Sequence, residues 1–240
     1  MVKYVPDRTG RFFERPHYEP KELDRLCERM VVDFFRALGR DLPIPIPTDD
    51  LTRLIEQDVS DFDGFADLSR YGDDVEGVTE FLPGRKPRVR IATALAEDER
   101  RENRYRTTLA HEWGHVRLHA YLFELERPRR DLARVGGDDD RIQVCKRETI
   151  VNAAQTDWME WQAGHVCGAA LMPISLVQRM VADYQQAHDL YGAVASASNH
   201  GRALITATTV KFQVSPDAAR VRLSRLGYLG VASGPSLFSK

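Results

Sequence analysis

Apolar side chains recur at helical spacing near the beginning of the chain. Between Lys21 and Arg40 they occupy the i, i+3, i+4 and i+7 positions of an amphipathic helix, and Gly39 closes the run. The pattern predicts one long helix, and we interpret its aromatic residues as part of a hydrophobic core. The apolar positions are Leu23, Leu26, Cys27, Met30, Val31, Phe34, Phe35 and Leu38.

Alternating apolar and polar residues predict a β-hairpin in the first half of the chain. The alternation runs from Val75 to Leu82 and from Arg88 to Thr93, and the turn sequence P-G-R-K-P joins the two segments. Before it, three prolines between residues 43 and 47 form a stiff connector, and Thr48 caps a short helix. We hypothesise that the strand from Val89 to Ala92 offers its edge to a peptide substrate, and an ordinary sheet edge is the alternative.

Three further segments have helical patterns. The first is T-T-L-A-H-E-W-G-H-V-R-L-H, from Thr107 to His119, and the charged stretch from Leu95 to Arg106 before it forms either a solvated connector or the first turns of the same helix. The second runs from Asp157 to Pro173, with an apolar stripe and many small residues. The third runs from Ile174 to Ala187.

The carboxyl-terminal part of the sequence resembles a helix-turn-helix pair. The helices are predicted from Ala203 to Phe212 and from Pro216 to Leu226, with Ser215 as the cap of the second. If the second helix recognised DNA, its arginines would have to project into solvent. Because the segment lacks a broad basic surface, we interpret the helix pair as an appendage that packs on the rest of the protein. The arginines in question are Arg220, Arg222 and Arg225.

Composition limits the class of protein. The chain has 240 residues, 42% of them hydrophobic, and a net charge of −2, so it can bury a full core and has no charged block suited to a polyanion. Three cysteines that cannot all pair, and the lack of a signal peptide or long apolar run, predict a cytoplasmic protein without a membrane partner. We predict an extended arm at residues 1–19, a main domain at 20–180 and a helical subdomain at 181–240.

The segment H-E-W-G-H carries the clearest chemistry. On a helix of ~3.6 residues per turn, His111 and His115 lie one above the other on one face, which suits two metal ligands. Glu112 lies about 100° around the helix, where a carboxylate can take a proton from water activated by a metal. An exposed helix face without a metal is the alternative interpretation.

A catalytic zinc site needs a third protein ligand. The extended pattern H-E-x-x-H-x-x-G-x-x-H is excluded because this chain has Leu118 and Tyr121 at the required glycine and histidine positions. His119 lies too far along the helix and is interpreted as a packing residue or a partner of a ligand. Glu160 is the best candidate, because the small residues of its helix would allow close approach to the first helix; an exposed carboxylate is the alternative.

These motifs resemble those of the ImmA/IrrE family of metallopeptidases. The resemblance rests on R-T-T-L-A before H-E-W-G-H, and on E-W-Q-A and A-A-L-M-P later in the chain. It implies an α+β, zincin-like fold, with a small β-sheet packed on the active-site helices and a helical appendage at the carboxyl terminus. It also implies that His111, His115 and Glu160 hold Zn²⁺, with Mn²⁺ possible, and that Glu112 is the general base.

One position departs from the family pattern. Gly164 stands where the family usually has an asparagine that could orient a ligand, so either His165, Asn152 or a residue elsewhere replaces it, or the site is weakened. The polar stretch from Leu122 to Asn152 predicts a mobile loop near the cleft. Within it, three aspartates lack the spacing of a calcium loop, and Cys145 could be a reactive thiol that controls the metal.

The sequence therefore predicts a zinc-dependent endopeptidase that makes a limited cut in a protein partner. By the resemblance, that partner is a helix-turn-helix transcriptional repressor. Two alternatives remain. One is a metal-binding anti-repressor without peptidase activity, and the other is a DNA-associated regulator that acts through its carboxyl-terminal helices.

Overall fold

Helices and strands are mixed along the whole chain in the computed structural model. It describes residues 2–82, 84–133, 142–146 and 157–230, with the backbone alone at residues 126–133 and 145–146. The described structure is 56% helical and 16% strand, so the mixed α and β class expected from the sequence is confirmed.

Most of the helices lie where the apolar patterns predict them. The long amphipathic helix α1 begins at Pro20, where Glu19 and Glu22 form a reciprocal capping box, and ends at Ala37. The described helices are α1 (Pro20–Ala37), α2 (Thr48–Glu56), α3 (Thr93–Ala96), α4 (Glu102–Ala133), α5 (Trp158–Leu171), α6 (Ile174–Ala187), α7 (Asn199–Phe212) and α8 (Pro216–Arg225).

Helices α4 and α5 pack closely against each other. A Cβ atom placed on Gly114 of α4 would lie 3.0 Å from the Cα atom of Ala163 on α5, so glycine is needed at this contact. Ala163 itself is fully buried. The close approach predicted from the small residues of α5 is confirmed.

A four-stranded sheet lies beside this helix pair. Its strands are β3 (Asp61–Ala66), β4 (Val75–Glu80), β5 (Arg88–Ala92) and β6 (Ile142–Lys146), in the order β3-β5-β4-β6. Strands β4 and β5 are antiparallel, as the predicted hairpin requires, and β3 is parallel to β5.

Two predictions about this region are corrected by the sheet. The strand containing Val89 to Ala92 is not an edge, because β3 and β4 occupy its two sides, so it has no free backbone for a substrate. The stretch from Leu122 to Asn152 is not all loop, because α4 continues to Ala133 and residues 142–146 form β6. The calcium loop considered at residues 138–140 lies outside the described residues.

The predicted amino-terminal arm is a β-hairpin fixed to the domain. Strand β1 (Lys3–Pro6) pairs antiparallel with β2 (Glu14–His17). Between the strands, the Phe12 ring is 4% exposed and packs edge-on against Phe123 and Trp158, at centroid distances of 5.0 and 6.0 Å. Asp7 accepts a hydrogen bond from the Trp158 indole at 3.1 Å. The arm is therefore extended, and these contacts hold it against the domain.

The carboxyl-terminal helices pack into the main apolar core. Leu204, Phe212 and Leu223 belong to the same buried cluster as Leu23 of α1. Arg222 is 2% exposed, so it cannot project to DNA as the alternative interpretation required. The division at residue 180 remains a prediction from sequence. A short parallel strand pair, β7 (Val194–Ala195) with β8 (Leu229–Gly230), completes this region.

Across the residues that the structure describes, no single helix combines the length and the apolar character needed to cross a membrane.

The charged stretch before the metal-ligand motif is only partly solvated. Arg106 is 1% exposed, so it is not part of a solvated connector. It donates hydrogen bonds to the carbonyl oxygens of Ile46, Phe212 and Gln213, at 2.5, 3.4 and 3.1 Å, and to the Thr48 hydroxyl at 3.2 Å. The guanidinium thereby joins α4 to the loop before α2 and to the end of α7.

We expect Arg106→Met to lower the free energy of unfolding by about 2–4 kcal/mol, because the buried carbonyls that Arg106 contacts would lose their donor. Urea unfolding of the variant and the wild type measures this difference. The matched control is Arg100→Met, whose side chain is 90% exposed and whose loss should leave the stability close to that of the wild type. Equal stability of Arg106→Met and the wild type would contradict this role.

Candidate metal centre

The three predicted metal ligands meet in one buried cluster between α4 and α5. Nε2 of His111 and Nε2 of His115 lie 3.1 Å apart. Glu160 brings its Oε2 to 3.2 Å from His111 Nε2 and its Oε1 to 3.1 Å from His115 Nε2. All three residues are at most 3% exposed. The structure thus brings together the residues that the sequence predicted, and the exposed carboxylate considered for Glu160 is wrong.

The cluster fits a metal ion. Tetrahedral ligands at zinc distances of ~2.0–2.1 Å lie ~3.3 Å from one another, close to the separations seen here. Burying two imidazole nitrogens and a carboxylate oxygen that are directed at one point is costly unless a proton or a cation lies between them. These three residues could therefore hold a metal ion. Among the residues that the structure describes, they are the one group of three or more histidine, cysteine or acidic side chains arranged in this way.

Glu160 is positioned by its place in α5 and by strand β6. It lies in the first turn, where the Asp157 side chain caps the helix by accepting from Glu160 N. Its Oε1 also accepts a hydrogen bond of 2.6 Å from Gln143 Nε2 on β6. Burial opposes ionisation of Glu160, but the His115 and His111 imidazoles outweigh that effect and hold its pKa well below the ordinary value. The surroundings of Glu160 thus favour its ionised form, which is the form that can bind a cation.

His115 is oriented through its other ring nitrogen. Its Nδ1 lies 3.0 Å from Nδ1 of His119, and His119 Nε2 lies 3.1 Å from Gln162 Oε1. Burial lowers the pKa of His119 well below its ordinary value, so this ring is neutral. Because Gln162 Oε1 only accepts, His119 Nε2 carries the hydrogen and His119 Nδ1 accepts from His115 Nδ1. His115 Nε2 then has a free lone pair for the metal.

The side chain of Glu112 extends from α4 towards strand β4. Its Oε2 accepts a hydrogen bond of 2.6 Å from the Thr79 hydroxyl, and its Oε1 has no hydrogen-bond partner among the described residues. A Cβ atom on Gly77 would lie 2.8 Å from Glu112 Cδ, so glycine at this position of β4 leaves room for the carboxylate. Burial raises the pKa of Glu112, and His115, His111 and Thr79 offset part of that rise.

The residue that contacts a predicted ligand through its ring is His119 and not His165. His165 contacts Asp24 at 2.9 Å and does not reach the cluster, so that prediction is wrong. His119 orients His115 instead, which confirms its interpretation as a partner of a ligand. Asn152 and the side chain of Cys145 lie outside the described residues.

Sequence reasoning missed three residues that contact the cluster or the side chains next to it. Gln162 could have been found, because it lies within E-W-Q-A and one half-turn from Glu160. Thr79 and Gln143 carry no signal of their own, because they reach the site only through the pairing of β4 and β6 across the sheet.

Comparison of the chain with models of known families and with curated proteins found no significant match.

Glu112 gives a stability test of this geometry. Its pKa is raised in the fold, whereas an unfolded glutamate titrates near ~4.3. The stabilising contribution of its protonated form is fully present below ~4.3 and is lost as the pH rises through the folded-state pKa. Near neutral pH the buried Glu112 carboxyl group therefore contributes less stability than it does below ~4.3, and Glu112→Gln removes this pH-dependent cost.

We expect metal-free Glu112→Gln to be more stable than metal-free wild type near neutral pH, by about 1–2 kcal/mol. The difference should shrink as the pH falls towards ~4.3. Urea unfolding in the presence of a chelator, at several pH values, measures it. Glu56→Gln, at an exposed position on α2, is the control and should show no such trend. A Glu112→Gln variant that is less stable at neutral pH would contradict the assignment.

Proposed function

We propose that this protein is a zinc-dependent endopeptidase with a zincin-like site, related to the ImmA/IrrE family. The observation that carries the proposal is the buried cluster of His111, His115 and Glu160, with Glu112 between its two histidines in sequence. When bound, zinc would polarise the scissile carbonyl and lower the pKa of water towards ~7. Manganese can be accepted by the same ligand set.

The residues around the cluster have separate tasks. His111, His115 and Glu160 would hold the metal, and Glu112 would accept a proton from the attacking water and pass it to the leaving amine. The raised pKa of Glu112 suits a group that both accepts and donates a proton. Thr79 holds Glu112 Oε2 and leaves Glu112 Oε1 available for the proton.

Burial of the site supports limited rather than general proteolysis. His111, Glu112 and His115 are fully buried, and Glu160 is 3% exposed. A peptide must therefore displace part of the protein surface before it reaches the metal, which disfavours cleavage of arbitrary unfolded chains. We propose a single protein substrate, and the family resemblance suggests a helix-turn-helix transcriptional repressor.

A binding protein without peptidase activity is the principal alternative, because the same cluster could hold a metal for structure only. The DNA-associated regulator has less support, because Arg222 is paired with Asp24 in the core. Substitution of Glu112, the proposed general base, distinguishes the enzyme hypothesis from the binding-protein hypothesis, because Glu112 is not a predicted metal ligand.

The proposal predicts that Glu112→Gln keeps its zinc and loses cleavage by about 10²–10⁴-fold. The measurement is mass spectrometry of new peptide amino termini, after the zinc-loaded protein is incubated with lysate proteins and with a peptide library. Zinc content is measured on the same samples. Cleavage by Glu112→Gln at the wild-type rate would contradict the assignment of Glu112 as the general base.

Gly77 gives a second test that does not change a charged residue. In Gly77→Ala the new methyl group would collide with the Glu112 carboxylate, which is the movable end of a side chain. The carboxylate must shift, and we expect about a 100-fold loss of cleavage with unchanged zinc content. Gly168→Ala is the control, because its methyl group would meet only Arg222 Cδ at 3.7 Å. Wild-type activity in Gly77→Ala would show that Glu112 is not the base.

A further inference from the structure

The amino-terminal hairpin, defined here as residues 3–17, contacts the metal centre through two chains of hydrogen bonds. We propose that this hairpin is a working part of the centre: Arg11 fixes Glu160 through Gln143, and the Pro16 carbonyl fixes His115 through Gln162 and His119. Arg11 and Gln162 are thus positioning residues. The inference rests on the metal centre of the proposed function and assigns a role to a segment that lies far from both motifs in sequence.

The first chain ends on the carboxylate ligand. Arg11 Nη1 donates to Gln143 Oε1 at 2.8 Å, and Gln143 Nε2 donates to Glu160 Oε1 at 2.6 Å. Because the guanidinium can only donate, it fixes which end of the Gln143 amide faces it. The NH₂ group of Gln143 must then face Glu160. Arg11 Nη1 also lies 3.0 Å from the Met159 sulfur, next to Glu160 in sequence.

The second chain ends on a histidine ligand. Gln162 Nε2 donates to the Pro16 carbonyl at 3.0 Å, and this carbonyl is held by the pairing of β1 with β2, where Pro16 lies opposite Tyr4. A carbonyl can only accept, so the oxygen of the Gln162 amide must face His119.

The orientation of this amide decides which nitrogen of His115 carries the hydrogen. If the Gln162 amide were reversed, its NH₂ group would face His119 Nε2, and His119 would carry its hydrogen on Nδ1. That hydrogen would be donated to His115 Nδ1, so His115 would carry its own hydrogen on Nε2 and could not bind a metal there. The Pro16 carbonyl therefore selects the metal-binding form of His115.

Both hydrogen-bond chains begin in the second half of the hairpin. Other contacts fix the hairpin to the rest of the domain. Phe12 is buried beside Arg11, and Asp7 accepts from Phe12 N at 3.0 Å and from the Trp158 indole at 3.1 Å. These contacts place the hairpin against the first turn of α5, where Glu160 lies. The hairpin can thus hold two ligands on two different helices.

The first experiment uses Arg11→Ala, with Arg8→Ala as the matched control, because Arg8 is an exposed arginine of the same hairpin. Zinc affinity is measured by competition with a chromophoric chelator, and the visible absorption of bound Co²⁺ reports the ligand geometry. We expect Arg11→Ala to lose at least about 10-fold in zinc affinity and to change the Co²⁺ spectrum. Arg8→Ala should match the wild type in both.

A double-mutant cycle tests whether Arg11 acts through Gln143. If it does, adding Arg11→Ala to Gln143→Met should cause no further loss of zinc affinity. If the two losses of zinc affinity are instead independent and additive, Arg11 does not act through Gln143. For the second chain, Gln162→Met should lose about 10-fold in zinc affinity, whereas Gln186→Met, at an exposed position, should not.

The two proposals fail in different ways. If the wild type retains no zinc or Co²⁺, the metal centre itself is wrong and the inference falls with it. If the wild type binds zinc, and Arg11→Ala and Gln162→Met bind it equally well with unchanged Co²⁺ spectra, only the role of the hairpin is wrong. Urea unfolding of the metal-free variants tests whether they remain folded. This control distinguishes a loss of zinc affinity from a loss of the fold.

Discussion

The close contact between α4 and α5 is the constraint on which the rest of the structure depends. At Gly114 and Ala163 the two helices approach so closely that a single added methyl group would meet the opposite backbone. This distance allows Glu160 to reach both imidazoles of α4 with a short, well-defined side chain. Three polar groups from two helices are thereby buried together, which a fold tolerates when they are hydrogen-bonded or bind a cation.

Helix α5 is held on its other side by a second buried polar contact. Asp24 of α1 accepts hydrogen bonds from His165 of α5 at 2.9 Å and from Arg222 of α8 at 2.5 Å. Buried charged pairs add little net stability, but they are costly to break, so they favour one arrangement of the helices. The Asp24 contact, the Gly114 contact and the amino-terminal hairpin together define where Glu160 lies. This explains why helices distant in sequence are packed into one core around a small cluster.

Sequence alone could predict the parts of this arrangement that follow from local periodicity. The spacing of His111 and His115 requires only a helix, and α1 follows from its apolar stripe. Glu160 needed the small residues of α5 and the family resemblance, because nothing local says which distant side chain completes a site. The edge position predicted for the strand from Val89 to Ala92 was wrong for the same reason, because strand order depends on pairing with β3, which periodicity does not encode.

The burial of three polar residues, two beside the site and one in the core, could not be predicted from sequence for a related physical cause. Gln143, Thr79 and Arg106 are polar residues in polar or alternating stretches, where exposure is the ordinary expectation. Each is buried here because a partner from another element satisfies it. Their roles arise from tertiary contacts, and they became visible only when the strands and helices were placed together.

Zinc K-edge X-ray absorption of the protein loaded with one equivalent of Zn²⁺ tests the central claim most directly, because it identifies the atoms bound to the metal. The account predicts nitrogen and oxygen neighbours at ~2.0–2.2 Å, with the outer scattering of two imidazole rings and no sulfur. A spectrum with a sulfur neighbour, or without scattering from two imidazoles, would show that His111, His115 and Glu160 do not form the metal site.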